Sequence, residues 1–96
     1  MASKYNATFF LKKFVGIPDQ QWTTGMFSRK GKHCALGQLG APTANYVEVM
    51  ALVRLFKKYL DTKPTQVNDG DDVRFQQKTP KRRMIAALQQ IKENRK

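Results

Sequence analysis

Thr43-Ala44-Asn45-Tyr46-Val47-Glu48-Val49-Met50-Ala51-Leu52-Val53-Arg54-Leu55-Phe56-Lys57-Lys58-Tyr59-Leu60 is the longest run in this chain with an unbroken helical pattern. Its apolar positions, Tyr46, Val47, Val49, Met50, Val53, Phe56 and Leu60, recur at helical spacing, and Ala51, Leu52, Leu55 and Tyr59 fill further faces. Thr43 is placed to cap the run, Pro42 stands just before it and Pro64 follows its end, the punctuation of a single helix. A helix apolar on most of its sides sits at the centre of its domain. The spacing therefore predicts a mainly α fold built around Thr43–Leu60, with Glu48, Arg54, Lys57, Lys58 and Asp61 as the polar strip that reaches solvent.

Downstream, Thr79 stands as N-cap and Pro80 at the first helical position, with Met84, Ile85, Leu88 and Ile91 on one face and Lys81, Arg82, Arg83, Gln89, Gln90 and Lys92 on the other. Upstream, Phe10, Leu11, Phe14 and Val15 fall at helical spacing behind a capping Asn6, until Gly16 and Pro18 stop the run. A strand is the alternative there, because Phe and Val also suit sheets. From Ile17 to Lys32 the pattern is irregular, and Gln20–Phe27 within it reads as an ordered loop or one short hairpin strand. Trp22 reads as an indole plugging the core over this loop rather than as a platform for stacked bases. Asn68-Asp69-Gly70 is a turn signal, and Gln66-Val67 and Val73–Phe75 on either side suggest a small hairpin. The expected architecture is one domain over residues 1–96, three to four helices with an α+β variant that adds the hairpin, and loose ends at 1–5 and 93–96.

Ninety-six residues make one modest core, burying roughly 60 to 65% of the surface of the unfolded chain. Apolar residues are 41% of the chain and ten residues are aromatic, too many for a disordered polymer. Eighteen basic against seven acidic residues give a formal charge of +11. Such a charge gathers polyanions, so nucleic acid, a nucleotide or other phosphorylated ligand, or an acidic protein is the natural partner. The one cysteine cannot form an internal disulfide, and no stretch approaches the roughly 20 apolar residues of a membrane span. The N-terminal residues carry no apolar leader segment, and the chain reads as cytoplasmic.

His33-Cys34, the only histidine and the only cysteine, lie behind the basic turn Ser28-Arg29-Lys30-Gly31-Lys32. If a helix begins at Cys34, its free N–H groups and the nearby cations would favour a thiolate or hold an anion. If Cys34 points inward, it is a small core residue. Catalysis needs a base delivered from a distant segment; adjacent residues on a helix diverge by about 100°, so His33 is poorly placed to serve Cys34. Two Cys or His ligands are too few for structural zinc, and Asp69-Gly70-Asp71-Asp72 lacks the further acidic ligands of a calcium loop. Neither metal nor cofactor is expected. Anion binding is better supported: Arg29, Lys30 and Lys32 surround Gly31, and Lys81, Arg82 and Arg83 crowd a predicted helix N-terminus, where cations oppose the helix dipole unless an anion joins them. The competing account is that the Asp69–Asp72 turn supplies the counter-charge within the molecule.

Trp22, Gly25, the turn at Arg29–Gly31, Cys34-Ala35-Leu36-Gly37, Asn68-Asp69 and the amphipathic terminal helix together resemble a family of small bacterial and phage proteins known only as a domain of unknown function. Its members carry a Trp-x-x-Gly segment, a Cys-x-x-Gly-Ala-like segment opening a helix, and a later Asn-Asp before a final helix. This chain departs from them in Gln38, which follows Gly37 where the family has a small residue, and in its strongly basic charge. The resemblance implies a compact cytoplasmic module of phages or mobile elements that acts on host or defence processes by binding, with no activity assigned. The leading expectation is thus a non-catalytic accessory or regulatory protein that meets an acidic partner through Arg29, Lys30, Lys32, Lys81, Arg82 and Arg83. Nucleic-acid binding is the first alternative, and a small-ligand or cysteine-enzyme pocket around Trp22, His33, Cys34 and Asn68 is the second.

Overall fold

Asn6 starts the first helix as its side chain requires: Oδ1 accepts the Phe9 N–H at 3.0 Å, satisfying one of the orphan donors of a helix start. The computed structural model describes residues 4–25, 28–40 and 46–94. Among them, the chain runs through helix α1 (Ala7–Val15), a 3-10 turn (Asp19–Gln21), strands β1 (Ser28–Arg29) and β2 (Lys32–His33), and helices α2 (Ala35–Gln38), α3 (Tyr46–Leu60), α4 (Pro64–Asn68) and α5 (Pro80–Asn94). The fold is mainly helical. Residues 7–15 are helical rather than extended, and their buried face is Ala7, Phe10 and Phe14; Val15 lies on the other side and is exposed. At the head of α5, Thr79 Oγ1 accepts the Arg82 N–H at 3.2 Å, the cap read from the sequence. The capping positions proposed for α3, Pro42 and Thr43, lie outside the described residues. Of the expected loose ends, Glu93 and Asn94 belong to α5.

The centre of the domain is α5, not α3. Helix α5 packs against α1, α2, α3 and α4, with Met84, Ala87, Leu88 and Ile91 wholly inaccessible to solvent, whereas α3 packs on α4 and α5. The buried stripe of α3 is Val49, Leu52, Phe56 and Leu60, while Val47 is 65% and Met50 42% exposed. Apolar content alone does not reveal how many sides of a helix meet neighbours. Helix α5 looks half polar in sequence, yet its long cations lie along the structure and find carbonyls at its edge. Lys81 Nζ donates to the Val15 carbonyl at 3.0 Å, setting the C-terminal end of α1 against the first turn of α5. Glu48, assigned to the solvent strip of α3, is instead half-buried: Lys13 Nζ approaches its Oε1 at 3.2 Å, an ion contact without the alignment of a hydrogen bond. One continuous apolar cluster runs through all these elements.

The hairpin lies elsewhere than expected. Gln66 and Val67, read as one of its arms, are turns of α4, which starts at Pro64 with the φ that proline sets in advance and carries Val67 and Asn68 into the core. The turn after Asn68 is real: Gly70 has φ +81°, and a Cβ there would lie 3.5 Å from the Arg83 guanidinium carbon. The other arm folds on itself, with the Phe75 N–H donating to the Asp72 carbonyl and Val73 exposed. Among the described residues the hairpin is β1–β2, antiparallel, with Ser28 opposite His33 and Arg29 opposite Lys32. Its loop is Lys30-Gly31, at φ +50° and +80°, the pair of left-handed conformations that makes a two-residue loop follow the twist of its strands.

Candidate functional site

Strand β2 ends at His33, and Cys34 then turns the chain into α2 as its N-cap residue, with extended backbone and no capping side-chain bond. The thiol is free, 3% exposed, and pushed above its ordinary pKa by burial, against weaker backbone hydrogen bonds that favour the thiolate. A buried, protonated thiol is a poor nucleophile. The N–H at the head of α2 is taken as well: Ala35 N–H donates to Asn68 Oδ1 at 2.9 Å, so a side chain of the molecule occupies the place an external anion would want. We expect Cys34 to react with an aromatic disulfide reagent on the order of a hundredfold more slowly in the native protein than in urea; stopped-flow absorbance measures this, and equal rates would show an accessible thiol.

Asn68, wholly buried, is where the chain ties itself together. Besides receiving Ala35, its Nδ2 donates to the Thr23 carbonyl and to Asp69 Oδ1, both at 2.9 Å. Asp69 Oδ1 in turn accepts the Gly25 N–H at 3.0 Å. Around this point the Thr23 N–H donates to the His33 carbonyl, and Gln38 Nε2 donates to the carbonyls of Gln21 at 2.8 Å and His33 at 3.1 Å. Trp22 forms a parallel bridge with His33, and its ring meets Phe14 edge-on, 5.2 Å between centroids. The Trp22-to-Gly25, Cys34-to-Gly37 and Asn68-Asp69 segments, read as separate short motifs, thus meet in one hydrogen-bonded clasp. Trp22, His33, Cys34 and Asn68 do converge, but Trp22, Cys34 and Asn68 converge as packed interior with Asn68 satisfied from within. His33 Nδ1 is buried with no hydrogen-bond partner among the described residues. Thr23, Gln38 and Asp69 were not legible as parts of this clasp. Their only signal was compositional: polar residues beside Trp22, Asn68 and the Cys34–Gly37 segment.

The six cations proposed for an anion site have unlike fates. Arg83 is turned inward: Nε donates to the carbonyls of Val67 and Asn68, Nη2 to Asn68 at 2.7 Å and Nη1 to Gln77 at 2.8 Å. Burial draws its guanidinium below the ordinary value, against the pull of Asp69 and Asp71. Lys81 holds the end of α1. Lys30, Lys32 and Arg82 are exposed and form no ion pair among the described residues, while of Arg29 only the backbone is described. The acidic groups have local uses. Arg74 binds Asp72 through Nε and Nη2 and holds its carboxyl down to about 2, while its Nη2 also donates to the Leu60 carbonyl at the end of α3. Asp61 pairs with Lys57 at 2.7 Å, and Glu48 with Lys13. Within the Asp69–Asp72 turn only Asp72 forms an ion pair, with Arg74; Arg83 is held by backbone carbonyls, and Lys30, Lys32 and Arg82 are left uncompensated among the described residues. Among the described residues, no helix is long and apolar enough to cross a membrane, and no three His, Cys, Asp or Glu side chains gather where they could hold a metal ion. No model of a known protein family, no curated protein and no solved structure matches this chain.

Proposed function

We propose that this protein is a non-catalytic accessory or regulatory module that binds an acidic partner through its uncompensated cations. The observation that carries the reading is the disposal of charge: Asp61, Asp72 and Glu48 are engaged with Lys57, Arg74 and Lys13, while Lys30 and Lys32 on the hairpin and Arg82 on α5 face solvent without a counter-ion among the described residues. The strained placement of Lys30 adds to it, since a lysine at φ +50° is disfavoured where asparagine or glycine would fit, and a loop that keeps one holds a charge at its tip. The burial of Cys34 weighs against thiol chemistry and so favours binding over catalysis.

Elution from a heparin column by a salt gradient, followed by titration with a labelled duplex oligonucleotide and with polyglutamate, tests this. The triple variant Lys30→Asn, Lys32→Gln, Arg82→Gln should elute at clearly lower salt and lose roughly thirtyfold in affinity for whichever polymer binds, about half a decade per released counter-ion. A control that removes equal charge elsewhere, Lys12→Gln, Lys63→Gln, Lys92→Gln, should lose much less. Equal losses in the two variants would reduce the effect to net charge and refute a defined surface. Stronger binding of the oligonucleotide than of polyglutamate would place nucleic acid first among acidic partners.

A further inference from the structure

The outer face of α3 has a composition that the basic surface does not explain. On a helical projection Val47, Met50, Ala51, Arg54, Lys57 and Lys58 fall within one stripe, opposite the buried stripe of Val49, Leu52, Phe56 and Leu60. The stripe is divided along its length. Its first turn is apolar, with Val47 and Met50 both exposed, and its later turns are cationic, with Arg54, Lys57 and Lys58 exposed. Lys57 is paired with Asp61, whereas Arg54 and Lys58 form no ion pair among the described residues. Lys58 instead lies over its neighbour Tyr59, 5.2 Å from the ring centre.

Three occupants can be compared with this pattern. A phosphate backbone would use Arg54 and Lys58 but gain nothing from Val47 and Met50. A second copy of the chain fits badly in either direction: antiparallel α3 helices would set Val47 and Met50 against the cations of the other copy, and parallel ones would stack cation on cation in molecules already at +11. A protein segment with an apolar stripe at one end and carboxylates at the other matches both halves. The geometry points to the outer face of α3 as the docking site for an acidic amphipathic helix of a partner protein, which seats apolar side chains on Val47 and Met50 and carboxylates on Arg54 and Lys58. This is helix-on-helix recognition with anchors at helical spacing. It rests on the reading of the protein as a binder of acidic partners and assigns that partner's class.

The test uses a labelled synthetic peptide about five helical turns long, made of Leu, Ala and Glu with the leucines at helical spacing and the glutamates gathered toward one end. A second peptide has the same composition in an order that destroys the stripe. Fluorescence anisotropy with the full chain should show the striped peptide binding at least about tenfold more tightly than the scrambled one. Val47→Asn with Met50→Gln should erase that preference, a loss of about tenfold from the apolar area two such side chains cover. Arg54→Gln with Lys58→Gln should weaken binding and flatten its dependence on salt. All four residues are exposed, and far-ultraviolet circular dichroism checks that the variants keep their helices. Equal affinity for both peptides, or an unaltered preference in Val47→Asn, Met50→Gln, overturns the docking face while leaving an acidic partner in place. Failure to bind either peptide, the duplex oligonucleotide or polyglutamate at low salt removes both readings together. Loss of oligonucleotide binding in the apolar variant, equal to its loss of peptide, would also overturn the assignment, because the face would then belong to nucleic acid.

Discussion

Asn68→Ala should lower the unfolding free energy by about 3 kcal/mol, a large share of the 5 to 15 kcal/mol that holds a domain of this size together. The substitution removes one acceptor and two donors from a wholly buried position. The Ala35 N–H is left in a residue with no solvent access, the Thr23 carbonyl loses its Asn68 donor, and Asp69 loses one of the two N–H groups it receives. A buried polar group stranded in this way costs about 1 to 3 kcal/mol. The measurement is urea unfolding followed by the emission of Trp22, the only tryptophan, which sits at the edge of the clasp. In a thermal scan the same loss corresponds to roughly 12 to 24 °C of melting temperature. A drop below about 1 kcal/mol would mean that water or a neighbour replaces Asn68 without penalty. Asn68→Asp should be worse at neutral pH than at acid pH. It keeps an acceptor for Ala35 but turns an oxygen toward Thr23 and Asp69, which holds the folded-state carboxyl above its unfolded value; the domain then loses stability as pH rises past the unfolded value.

Phe14→Ala should cost still more, about 4 kcal/mol, in the range measured for emptied aromatic core sites. Phe14 has no solvent access and meets the Trp22 ring edge-on, with Phe10 at 6.1 Å. Helix α1 packs on α5 and Trp22 lies beside the loop that the clasp fixes, so the surroundings of Phe14 have little freedom to close over a cavity. Chemical denaturation should show a lower midpoint with an unchanged dependence on denaturant, together with altered Trp22 emission in the native state. An unchanged midpoint would show that Phe14 is not part of the core.

How much of this was legible depended on whether the signal was local. Asn6, Thr79 and Pro80 announced helix starts because a cap is decided within four residues, and the structure keeps the α1 and α5 starts. The rank of the helices was not local. Helix α3 carries the most apolar residues and yet leaves Val47 and Met50 outside, while α5, with lysines and arginines through its first turn, is the one that every other helix meets. The hairpin was misplaced because turn residues mark where a chain reverses without saying what enters the reversal. Asn68-Asp69-Gly70 ends a helix, and Lys30-Gly31, with a lysine where asparagine is usual, joins two strands. At the site, residue identity picked out Trp22, Cys34 and Asn68, but hydrogen bonds spanning 33 to 45 positions decided that they close an interior instead of opening a pocket.

The contact between the end of α1 and the start of α5 joins residues 66 positions apart. On a ribosome adding about 5 to 20 residues per second, roughly 3 to 13 seconds separate the emergence of the two. During that interval the aromatic face of α1, Phe10 and Phe14, has no partner helix and is a ready surface for chaperones or for misassociation with other nascent chains. Folding of this domain is therefore a late event in its own synthesis. Changes that slow translation before residue 80, or weaken α5 after it, should reduce soluble yield more than they reduce the stability of molecules that have already folded.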